Sequence, residues 1–112
     1  MLLTVAELPE YLRAATRLLA DADRRAIVDH LAAHPMAGDL IEVTVGVRKL
    51  RWAREGRGKS GGVQVIYYFH SGAMQLYLLT MFAKNERANL SKAERNALAG
   101  LVEVLVQIWL ER

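Results

Sequence analysis

Apolar positions change period twice along this chain, and the changes mark out its elements. Residues 3–8, LTVAEL, form a short β-compatible run. Pro9 suits the first position of a helix, where a missing N–H costs nothing. Leu8, Leu12, Ala15, Leu18 and Leu19 then recur at helical spacing to about Ala20. Asp21 or Asp23 can cap a second helix. That helix carries Ile27, Val28 and Leu31 on one stripe and ends before His34-Pro35, because proline disfavours helix in the residue before it. Gly38-Asp39 marks a turn. From Ile41 the texture is that of strands: 41–47 is rich in β-branched residues, 48–52 continues it, and Val63–Phe69 and Leu76–Phe82 follow around a His70-Ser71-Gly72-Ala73 turn. Ser91 and Glu94 form a capping box ahead of a last helix whose apolar face is Leu98, Leu101, Val102, Leu105, Ile108 and Trp109. Val104 and Val106 widen that face. A broad core contact accounts for the width; a partner surface is the other reading. The order is β-α-α-β-β-β-α, an α+β fold in which an antiparallel sheet is packed by helices, read as a single domain over residues 1–112.

Composition removes several function classes. The 112 residues contain no cysteine, which excludes disulfides, thiolate catalysis and cysteine metal sites and fits a reducing cytosol. The N-terminus has no basic leader before an apolar stretch, and Glu7 and Glu10 come early, so no signal peptide is expected. No apolar run approaches the roughly 20 residues that span a bilayer. A cytoplasmic protein without a membrane partner is the expectation. Net charge is only +3 but unevenly placed. Residues 1–47 carry four arginines against seven acids, and residues 60–112 carry five basic residues against four acids. The twelve residues 48–59 hold six basic side chains (Arg48, Lys49, Arg51, Arg54, Arg57, Lys59) against Glu55 alone. A block of this kind attracts polyanions even on a nearly neutral molecule.

Strand alternation sharpens that block. Lys49 and Arg51 fall on one face, with Arg48, Leu50 and Trp52 on the other. Two cations on one strand face repel unless something anionic lies over them. The loop from Arg54 to Gly62 adds four glycines, whose backbone can approach phosphates closely. It is not a nucleotide P-loop, because GRGKSGG lacks the four-residue gap and does not open a helix. Trp52, Tyr67, Tyr68 and Tyr77 nearby suit single-stranded nucleic acid, where bases stack and phosphates are neutralised; at least one of the adjacent tyrosines must face the core. His30 and His34 straddle a helix end and His70 sits at a turn, a poor metal set. No serine occupies a nucleophile elbow. The surviving chemistry is phosphoryl transfer supported by cations, in which an RNA 2′-OH attacks its own phosphate.

The motifs RKLRWA (48–53), GRGKSGG (56–62), VIYYF (65–69), LYLLTMFAKNE (76–86) and LSKAERNAL (90–98), with PMAGD (35–39), resemble in order those of the RelE/HigB toxins of bacterial type II toxin–antitoxin systems. The resemblance spans nearly the whole chain. It implies the RelE-like microbial RNase fold and ribosome-dependent cleavage of mRNA in the A site, with no metal or other cofactor. It implies neutralisation by a cognate antitoxin, usually of helix-turn-helix type, through which alone operator DNA is bound. It makes Lys49, Arg51 and Lys84 the catalytic set. Arg48, Arg54, Arg57, Lys59, Gln64, Tyr68, Asn85 and Arg87 become RNA-binding residues. Two positions depart from the pattern. Gln64 stands where an arginine is usual, and Val45 follows Thr44 where the family commonly has glycine. The first motivates an attenuated relative that binds RNA, ribosome or antitoxin without cutting. A same-fold toxin acting on DNA gyrase is a further alternative, disfavoured by the Lys49/Arg51 strand.

Overall fold

In the computed structural model of the chain, residues 3–54 and 61–111 are described. Strand β1 is Val5–Glu7; Pro9 then opens helix α1, Pro9–Leu18, at its first position as its lost donor predicts. Helix α2 follows at Asp21–Ala33. Neither Asp21 nor Asp23 caps it: the N-cap is Ala20, without a side-chain bond, and both aspartates lie in the first turn, where they favour the positive end of the helix dipole. The strands β2 (Asp39–Leu40), β3 (Val47–Trp52), β4 (Val63–Tyr68) and β5 (Leu76–Ala83) precede helix α3, Lys92–Glu111. The capping box forms as read: the Glu94 N–H donates to Ser91 Oγ at 3.1 Å and the Ser91 N–H to Glu94 Oε1 at 2.8 Å.

The sheet order is β1-β5-β4-β3-β2. The β2–β3, β3–β4 and β4–β5 pairs are antiparallel, as expected, but β1 lies parallel to β5, so the sheet is mixed. The α1–α2 hairpin carries the chain from β1 at one edge to β2 at the other, and the meander then brings β5 back beside β1 in parallel. The strand expected across Ile41–Val47 is interrupted. Only Asp39–Leu40 pair with β3, and residues 41–46 turn around a Thr44 hydroxyl bonded to the Ile41 carbonyl. The turn uses left-handed backbone at Gly46 (φ 95°) and at Val43 (φ 65°). Val45 is not among the positive-φ residues, so its β-branched side chain does not obstruct the turn. Gly46 has a packing reason as well, since a Cβ there would come within 3.1 Å of the Tyr68 ring.

Helices cover both sheet faces, which is why every residue of β4 is buried. On one face Tyr11 and Ala15 of α1, Leu19 just after it, and Ile27 and Leu31 of α2 pack on Val63, Val65, Tyr67, Leu76, Leu78 and Met81. On the other, Leu98 and Val102 of α3 pack on Val47, Ile66, Tyr68, Leu79 and Phe82. A bulge between the Ile66–Thr80 and Tyr67–Leu78 pairs leaves Leu79 unpaired and lets β5 keep apolar residues towards both layers. Tyr11 joins Ala15 as a fully buried residue of α1, whereas Leu12 is 36% exposed. On α3 the packed stripe includes Val106, while Ile108 stays 62% exposed. Among the described residues no helix is long and apolar enough to cross a membrane.

Candidate functional site

Strand β3 delivers its basic residues as the alternation requires. Leu50 and Trp52 pack with α1 and α2, so Lys49 and Arg51 project from the opposite face, which they share with Val47 and α3. Lys49 lies opposite Ile66 and Arg51 opposite Gln64 on β4, and Gln64 in turn lies opposite Phe82 on β5. Lys49 is half-buried and Arg51 exposed, and neither makes an ion pair or side-chain hydrogen bond among the described residues. A pocket of about 370 Å³ at this end of the sheet is lined by Arg51, Trp52, Ala53, Gly62, Val63 and Lys84. The Lys84 N–H donates to the Gly62 carbonyl at 3.0 Å, which ties the end of β5 to the chain re-entering β4. The expected trio is thus split between a strand and the turn after β5, with Arg51 and Lys84 meeting at one pocket.

Other basic residues are committed to the fold. Arg48, on the reverse face of β3, donates to the carbonyls of Gly38 at 2.8 Å and Met36 at 3.4 Å. Arg54 is 7% exposed; its Nε donates to the Gly61 carbonyl and an Nη to that of Leu18 at 3.2 Å. It ties Gly61 to the end of α1. Tyr68 is buried beneath α3, and burial pushes its hydroxyl pKa up. Its buried neighbour Tyr67 accepts from the Gly38 N–H and donates to the Pro35 carbonyl, both at 2.8 Å. Burial likewise raises the Tyr67 pKa, against the Gly38 hydrogen bond that lowers it. Arg57 and Lys59 lie outside the described residues.

The turn after β5 carries Lys84, Asn85, Glu86 and Arg87, all exposed. Arg17 of α1 grips both Glu86 oxygens, the shortest contact being 3.1 Å, and this hydrogen bonding holds the Glu86 carboxyl below its usual pKa. Arg87 stacks on the Phe82 ring at 4.5 Å and donates to both oxygens of Glu94 at 2.6 and 2.7 Å. That bond, with the Ser91 N–H, lowers the Glu94 pKa. Phe82 and Glu94 hold Arg87, contacts that the charge pattern did not show. Arg95 stands three residues before Leu98, on the apolar stripe of α3.

Residues 10–111 match the family described as the RelE toxin of the RelE/RelB toxin–antitoxin system. The chain belongs to the RelE toxin family. It is a toxin of a toxin–antitoxin system, and an antitoxin is its partner. A mutant of the E. coli toxin RelE, solved in the free state, matches this RelE-family chain with a TM-score of 0.58 at 12% identity, over 89% of this chain and 96% of that one. At that identity the likeness is one of fold.

Proposed function

We propose that this toxin is a metal-independent, ribosome-dependent mRNA interferase, an endoribonuclease that inhibits translation by cutting mRNA in the A site. The observation that carries the reading is the pair Lys49 and Arg51, two residues apart on one strand face and without a counter-charge among the described residues. Such a pair is a liability for the fold and an asset beside phosphate. Lys49 faces the ribose 2′-OH and takes its proton as that oxygen bonds to phosphorus. Arg51 stabilises the charge gathering on the non-bridging oxygens. The P–O5′ bond breaks, and Lys84, which lines one pocket with Arg51, protonates the departing 5′-oxygen. The products are a 2′,3′-cyclic phosphate and a 5′-OH. Asn85 and Arg87 steady the strand, and Arg57 and Lys59 add charge for its phosphates.

The cognate antitoxin, of helix-turn-helix type, neutralises the toxin in the cytoplasm and carries it to operator DNA. A second reading, binding without cutting, is favoured by Gln64: a neutral amide next to Arg51 adds no countercharge to the transition state. Primer extension on messages from a translating extract separates the two. Codon-associated ends dependent on the toxin support cleavage, whereas intact messages despite ribosome binding support the second reading.

A further inference from the structure

On the sheet face that carries Lys49 and Arg51, Gln64 holds a buried polar atom unused among the described residues, and Arg95 of α3, the helix packed on that face, holds another. Gln64 is 4% exposed, and its Oε1 is buried with no hydrogen-bond partner among the described residues. Its cross-strand neighbours are Arg51 and Phe82. Arg95 stands three residues before Leu98 and seven before Val102, the two buried residues of α3, so it shares their sheet-facing stripe. Its Nε is also buried without a partner. Phe82, Leu90 and Leu98 belong to one packed cluster, which brings the first turns of α3 against the same sheet face as Gln64. Buried polar atoms are nearly always bonded. Gln64 thus holds an unused acceptor on the sheet face of the uncommitted Lys49 and Arg51, and the helix packed on that face holds an unused donor, both without partners among the described residues.

We propose that Gln64 and Arg95 read a ribonucleotide. The Gln64 amide oxygen accepts from a ribose 2′-hydroxyl, and Arg95 donates to the adjoining phosphate. This rests on the RNA reading above and names the feature by which that same face tells RNA from DNA. The 2′-OH is the group that separates the two nucleic acids at a given sugar. An amide at position 64 can accept its proton, whereas a guanidinium has only donors. The neutral side chain beside Arg51 is therefore a sugar reader in place of one more phosphate clamp.

The test is fluorescence anisotropy of the whole protein with short single strands of one sequence, in ribo, deoxy and 2′-fluoro forms. The 2′-fluoro sugar keeps an RNA-like pucker but cannot donate. Wild type binds the ribo strand about fivefold tighter than the other two, the effect of one ordinary hydrogen bond. Gln64→Met, similar in length and without the acceptor, brings the three affinities together while the deoxy affinity stays unchanged. Arg95→Met weakens all three and lowers the salt slope by about 0.7. Equal binding of ribo and 2′-fluoro strands by wild type overturns the proposal without recourse to any variant, as does a Gln64→Met protein that keeps the preference. Cleavage is scored separately in translating extract. RNA preference without cleavage sinks the interferase reading alone, and cleavage without the preference sinks this one alone.

Discussion

Arg48 and Arg51 are three residues apart on β3 and carry the same charge, yet the structure gives them opposite duties, so replacing each by methionine separates site from scaffold. Arg48 points to the α2 side and donates to the Gly38 and Met36 carbonyls. Losing a charged donor of that kind costs about 1.5–3 kcal/mol, which for a chain of this size lowers Tm by roughly 6–12 °C. Arg51 is exposed and bonded to nothing among the described residues. Its removal should change stability by no more than about 0.5 kcal/mol. At the site the order reverses. Arg51→Met removes one donor to the transition state, a loss of about 10²- to 10³-fold in cleavage, and takes about 0.7 from the salt slope of RNA binding. Arg48→Met, measured below its own Tm, cleaves within a few-fold of wild type. Calorimetry and salt-dependent RNA binding give the two readouts independently. An Arg51→Met protein that melts early, or an Arg48→Met protein that is stable but fails to cut, would refute the assignment of faces.

Other substitutions probe the supports of this strand. Gly38→Ala places a Cβ 2.8 Å from both the Lys49 carbonyl and the Tyr67 ring; overpacking against backbone should cost about 1–3 kcal/mol, read as a lower denaturant midpoint. Tyr67→Phe leaves the Gly38 N–H and the Pro35 carbonyl without their partner, and unfolding should show a loss of about 2–4 kcal/mol. Glu94 titrates below its unfolded value because Arg87 and then Ser91 bond its carboxylate. Its contribution is therefore present above the ordinary glutamate pKa of about 4.3 and lost as pH falls through the lower folded value. Glu94→Gln should cost about 0.5–1 kcal/mol near neutrality, a figure reduced for solvent screening of this partly exposed pair. The cost should vanish in acid; a cost that persists there would mean the cap, not the charge, matters.

The elements legible in advance were those set by local rules. Pro9, the Ser91/Glu94 box and the alternation of β3 each declare themselves within a few residues, and the faces of Lys49 and Arg51 follow from the alternation alone. The parallel edge strand was not legible, because Val5–Glu7 meets Leu76–Leu78 only through the tertiary path of α1 and α2. Residues 41–46 read as strand from β-branched composition, yet Thr44 and the positive φ at Gly46 turn the chain, and packing overrides propensity there. At the site, charge pattern found the cations but could not divide them. Arg48 and Arg54 are held by backbone carbonyls that only the fold brings near. The grip of Arg87 on Glu94 joins the turn after β5 to α3 and shows only once the helix lies on the sheet.

The central claim, that uncommitted cations on β3 cut RNA, is tested most directly by primer extension in a translating extract with wild type and Lys49→Ala side by side. Toxin-dependent ends should appear within codons, each upstream fragment closing in a 2′,3′-cyclic phosphate, and should be lost in Lys49→Ala at unchanged Tm. Messages that stay intact with wild type, or ends that persist undiminished in Lys49→Ala, would contradict it.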